Sequence, residues 1–131
     1  MITLDQWITS SGRYPERAKS YELTASVIKN AKTLLERVNA LLVHLNIDTV
    51  SVSSGFRPST INQRVKGAAA KSAHMSGEAI DLFDPDGALK KLVTKALLIK
   101  FDLYREDSTA SPTWMHLQSR PTKSGKRIFL P

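Results

Sequence analysis

The sequence contains no cysteine. Disulfides, thiolate metal sites and a cysteine nucleophile are therefore excluded, and any transition-metal site must be built from His, Asp and Glu. Aromatic residues are scarce, at 7%. Neither a base-stacking motif nor a recognition helix stands out, so no nucleic-acid partner is expected. No apolar run approaches the roughly 20 residues of a membrane-crossing helix, so no membrane span is expected. The opening stretch MITLDQWITSSGRYPER lacks a basic n-region and an apolar core, and no secretory signal is expected there. Phosphate loops, nucleotide fingerprints and a serine triad are missing too.

What is present is the mix of a soluble globular chain: 131 residues, 41% hydrophobic and 24% charged. That length suits one domain over residues 1–131, expected to be a monomer. Nineteen Lys and Arg against twelve Asp and Glu give a net charge of +7, which favours polyanionic partners without choosing among them. The densest basic cluster is the tail Lys123, Lys126 and Arg127.

The first twenty residues read as polar and irregular. From Glu22 to Leu45, Leu23, Val27, Ala31, Leu34, Leu35, Val38, Leu41, Leu42 and Leu45 recur at steps of three and four. That stripe predicts one long amphipathic helix, with Ser20 as its cap. Thr49–Ser53 alternates as a strand and runs into the turn Ser54-Gly55-Phe56-Arg57-Pro58. A short helix over 59–65, an ordered loop at 67–71 and a strand over Ala79–Phe83 follow. Asp86 is read as the cap of a single helix carrying Leu89, Leu92, Val93, Ala96 and Leu97. Leu103–Arg105 and Trp114–Gln118 read as strands joined by a polar loop. The expected fold class is α+β, a small antiparallel sheet flanked by helices.

There are three histidines. His44 lies among apolar neighbours in the long helix and reads as scaffold. His74 sits in the loop SAHMSGEAID, seven residues before Asp81 (81 − 74 = 7) on the following strand, and His116 lies in WMHLQ on a later strand. Two imidazoles and a carboxylate are the ligand types and number that leave zinc an open position, although spacing alone is weak support.

The string Ser72-Ala73-His74-Met75-Ser76-Gly77-Glu78-Ala79-Ile80-Asp81 has the pattern SxHxxGxAxD. With SGFRP upstream and WxH downstream, it resembles the zinc D-Ala-D-Ala metallopeptidase family. That family includes D,D-carboxypeptidases, dipeptidases and phage L-alanyl-D-glutamate endolysins, with the hedgehog signalling domain as a structural relative. The resemblance implies a hedgehog/DD-peptidase-like fold and a Zn2+ cofactor held by His74, Asp81 and His116. It implies that Arg57 binds a substrate carbonyl or carboxylate oxygen, a task suited to a planar, always-charged fork. Ser72 matches the motif serine, either near substrate or ordering the loop, and Trp114 reads as a site wall or a core residue.

The general base departs from the best-known pattern. Many relatives carry an acid three positions before the last histidine, where this chain has Thr113. Glu106, with Asp107 second, is the expected base, because some phage-encoded relatives carry an acid at this more distant place. The resemblance implies hydrolysis of a peptidoglycan stem-peptide bond on an anionic cell wall. The missing signal suits a phage-type endolysin that accumulates in the cytoplasm and acts after release, or a virion-associated hydrolase. A D,D-carboxypeptidase or dipeptidase on the same fold, and a non-catalytic zinc-containing wall-binding protein, remain alternatives.

Overall fold

The computed structural model describes residues 1–131. Helix α1 (Leu4–Thr9) leads through a 3-10 turn (Pro15–Lys19) to the long α2 (Ala25–His44). Strand β1 (Val52–Ser54), the short helices α3 (Ser59–Asn62) and α4 (Ala73–Ser76), and strand β2 (Ala79–Phe83) follow. Then come α5 (Ala88–Leu92), α6 (Lys95–Phe101), β3 (Tyr104–Glu106), β4 (Trp114–Gln118) and β5 (Ile128–Phe129). The strands form one sheet in the order β1-β2-β4-β3-β5.

This is the α+β architecture that the sequence predicts, with one correction to the sheet. β5 pairs parallel to β3, while the other three pairings are antiparallel. The segment after β4 reverses the chain, so β5 runs antiparallel to β4. On the far side of β3, that direction is parallel to β3.

Helix α2 follows the stripe, burying Ala31, Leu34, Leu35, Val38, Leu41 and Leu42. It begins later than predicted. Thr24 is the cap, its hydroxyl accepting from the Val27 N–H. Ser20 takes the Glu22 N–H instead, and the Glu22 carboxylate reaches across to the Ser59 amide. The N-terminal stretch is not irregular. Thr3 and Gln6 form a capping box, and α1 buries Trp7, whose indole N–H donates to the Ala79 carbonyl at 2.9 Å.

The single helix predicted after Asp86 is two, interrupted at Val93–Thr94, where the Thr94 hydroxyl caps α6. Asp86 accepts only from the Ala88 N–H, while Asp84 accepts from Leu89 and Lys90. The strand expected at Thr49–Ser53 is shorter and shifted, covering Val52–Ser54, so Ser54 belongs to the strand and not to the turn.

Ile80 and Leu82 of β2 and Met115 and Leu117 of β4 join α1, α2 and α6 in one cluster of 18 buried apolar residues. None of the candidate site residues belongs to it. The fold is therefore expected to outlast metal removal. A chelator should lower the melting temperature yet leave a cooperative transition, unlike a zinc finger. Collapse of the helical circular dichroism on chelation at room temperature would contradict this.

Candidate metal centre

Strand alternation places Ile80, Leu82, Met115 and Leu117 on the core face and Asp81, Trp114, His116 and Gln118 on the other. Asp81 pairs directly with His116 across β2 and β4, and Ser54 pairs with Asp81 across β1 and β2. The β3–β4 register, Tyr104 with Gln118 and Arg105 with Leu117, sets Glu106 level with His116 one step on. Glu106 in turn pairs with Phe129. A single row, Ser54–Asp81–His116–Glu106–Phe129, thus crosses all five strands.

His74 joins the row from α4. Its N–H donates to the Ser72 hydroxyl, so Ser72 orders this short helix. Gly77 ends it with φ +86, and a Cβ there would lie 2.3 Å from the Val27 carbonyl oxygen of α2. Only glycine can make that turn at that approach.

The three side chains are buried and mutually close. His116 Nδ1 is 2.8 Å from Asp81 Oδ1, and His74 Nε2 is 3.3 Å from Asp81 Oδ2. One potential ligand atom from each lies within 4.8 Å of the others. The outer ring nitrogens settle the tautomers. His74 Nδ1 is 2.8 Å from the Gly55 carbonyl, which can only accept, so Nδ1 carries hydrogen and Nε2 faces inward with its lone pair. His116 Nε2 is 2.8 Å from Gln118 Oε1, and Gln118 Nε2 donates to the Arg120 carbonyl, which fixes the amide. His116 therefore presents Nδ1. Outer partners of this kind are what orient histidine ligands.

Electrostatics agree with that arrangement. Burial alone would raise the Asp81 carboxyl, but the two imidazoles beside it outweigh burial and hold it well below the usual carboxylate range. Burial also keeps His74 below an ordinary histidine despite Asp81. For His116 burial pulls downward, yet the hydrogen bond to Asp81 and its charge win and raise it. A cation entering between His116 Nδ1 and Asp81 Oδ1 would displace any proton held there. Two inward lone pairs and one ionised carboxylate, with every outer N–H satisfied, fit zinc with a position left over.

Around them lies a cleft of about 770 Å³. Arg57 is buried in its wall, with Nη2 3.8 Å from Asp81 Oδ2 and Nη1 donating to Asn62 at 3.1 Å. Burial lowers its pKa, opposed by the Asp81 and Glu106 charges. Glu106, Ser72 and the half-buried Trp114 line the same cleft. Asp107 does not: its carboxylate accepts from the Thr109 N–H and hydroxyl at 3.0 and 2.7 Å. Thr113 is exposed, and His44 sits on α2 against Phe101, outside the site.

Sequence reasoning did not single out Gln118, Gly55 or Phe129. Gln118 was accessible in principle, since residue i+2 on a strand shares the face of His116. The other two arrive by tertiary contact and leave no local signal.

The family described as Peptidase M15 matches residues 14–117. That stretch takes in Arg57, Ser72, His74, Asp81, Glu106, Trp114 and His116. No curated protein sequence matches the chain.

Proposed function

Because the chain belongs to the peptidase M15 family, and is thereby a zinc metallopeptidase of peptidoglycan-type substrates, we propose that it hydrolyses a peptide bond within the stem peptide. In this reading His74, Asp81 and His116 hold the zinc, Glu106 is the general base and Arg57 binds substrate oxygen. The row across the sheet carries the proposal, because it puts the Asp81–His116 pair and the Glu106 carboxylate side by side on the cleft face.

Bound zinc supplies a Lewis acid that polarises an amide carbonyl and acidifies water. The remaining steps belong to the chain. Glu106 takes the proton of the attacking water and returns it to the leaving amine. Arg57, desolvated and forked, donates to the carbonyl oxygen as it gains charge. Trp114 walls the cleft, and Ser72 holds the loop that carries His74.

The rim supports an acidic substrate. Lys66, Lys71 and Lys123 are exposed on two lips of the cleft, and none of them forms an ion pair. Free carboxylates of a stem peptide, and the anionic wall around it, suit such a rim. Attachment to purified walls should weaken markedly between low and high salt, while hydrolysis of a small soluble muropeptide changes little. Pull-down that is equally strong at both salt concentrations would remove electrostatic docking.

The finer reading is an endopeptidase of the phage lysis or virion-associated type, made in the cytoplasm and acting on the wall after release. Supporting it, the acid sits on β3, ten positions before the last of the proposed ligands (116 − 106 = 10), the more distant placement that the resemblance links to some phage-encoded relatives. Mass spectrometry of purified peptidoglycan treated with zinc-loaded protein tests it. New amino termini inside the stem are expected. Release of terminal D-alanine alone would mean a carboxypeptidase, and intact peptidoglycan a non-catalytic protein.

A further inference from the structure

Segment 107–113 joins the strand that ends on Glu106 to the strand that carries His116. Sheet register places the Glu106 backbone but leaves its three side-chain torsions free, and catalysis is sensitive to misplacement of about 1 Å. One neighbour restrains them. Ser111 is fully buried, and its hydroxyl donates to Glu106 Oε1 at 2.5 Å. Oε2 has no hydrogen bond within the protein, and Glu106 lines the cleft.

Ser111 is itself held from behind. The buried ammonium of Lys90 donates to the carbonyls of Ser111 at 2.6 Å and Trp114 at 2.8 Å, with Asp84 Oδ2 3.5 Å away as counter-charge. The Asp84 carboxylate is anchored in turn by the Leu89 and Lys90 N–H groups. A solvent-facing loop would need no such support. A loop that delivers one hydroxyl to one carboxylate oxygen does.

Resting on the reading of Glu106 as the base, we infer that Ser111 is a positioning residue that decides which oxygen of Glu106 meets the reacting water. Its donor occupies Oε1 whether Glu106 is ionised or protonated, because either form keeps an acceptor there. Oε2 is then the atom that takes the water proton and hands it on.

The test is a double-mutant cycle on zinc-loaded protein with one soluble muropeptide, comparing Ser111→Ala, Glu106→Gln and the pair. Ser111→Ala is expected to lower kcat by about 10- to 100-fold, the scale of a hydrogen bond to a charged group, with KM, zinc content and helical circular dichroism unchanged. Added to Glu106→Gln, it is expected to cost almost nothing more, which a merely structural role would not produce. Equal losses in both backgrounds, or a fully active Ser111→Ala beside an inactive Glu106→Gln, overturn this inference alone. A fully active Glu106→Gln overturns the base assignment and this inference with it.

Discussion

Turnover of a muropeptide by Glu106→Gln should fall by about 10²–10⁴-fold, the usual contribution of a positioned acid–base group, with zinc content and fold retained. The change is nearly isosteric and touches no ligand. An amide still accepts the Ser111 hydroxyl at Oε1 but cannot take a proton from water. Asp107→Asn should stay near the parent rate, because that carboxylate closes a turn with Thr109 away from the cleft. Steady-state hydrolysis with zinc verified decides the matter. An inactive Asp107→Asn beside a normal Glu106→Gln would move the base by one residue. Full activity in both would mean that the water needs no carboxylate from this segment.

Loss of a ligand should be more severe. Zinc content of His74→Ala or Asp81→Ala is expected to drop from one per chain toward zero, and activity should fall below that of Glu106→Gln, because carbonyl polarisation and water activation are lost together with the metal. Undiminished metal in either variant would sink the ligand assignment. Asp81 has a second effect that the histidines lack, because it is also the counter-charge of Arg57 and the partner of His116. Its carboxyl is held below the unfolded value, which lies near 3.9. A depressed carboxyl contributes stability that is present above the unfolded value and lost as pH falls through the native one. The metal-free parent should therefore melt above metal-free Asp81→Asn at neutral pH, and the two should converge only in strong acid.

Long, periodic elements were legible in the sequence. The stripe of α2 and the apolar cores of β2 and β4 declare themselves because each repeats a period over several residues. Helix α1 and strand β5 do not, for opposite reasons. Helix α1 is six residues long and shows only three apolar positions, Leu4, Trp7 and Ile8. Strand β5 is two residues whose partner, the adjacent β3, lies more than twenty positions earlier in the chain. The break between α5 and α6 was masked because Val93 is apolar and fits a continuing helix, while Thr94 serves as a cap.

In the candidate site, His74, Asp81 and His116 stood out through a motif, whereas which of Glu106 and Asp107 faces the cleft did not. Adjacent strand residues face opposite sides, so only register decides, and register comes from pairing with β4 and β5. Ser111 and Lys90 carried no signal, because their roles exist only once segment 107–113 is folded back.

The two tryptophans lie on opposite sides of the sheet. Trp7 is sealed in the core behind β2, bonded to Ala79, while Trp114 stands half-buried on the cleft wall. They form a built-in pair of optical probes, one blind to the cleft and one looking into it. A soluble quencher such as acrylamide should extinguish the red-shifted emission of Trp114 and spare the blue emission of Trp7. A peptide seated in the cleft should shield Trp114 from that quencher, so binding can be followed in an inactive variant with no label and no turnover.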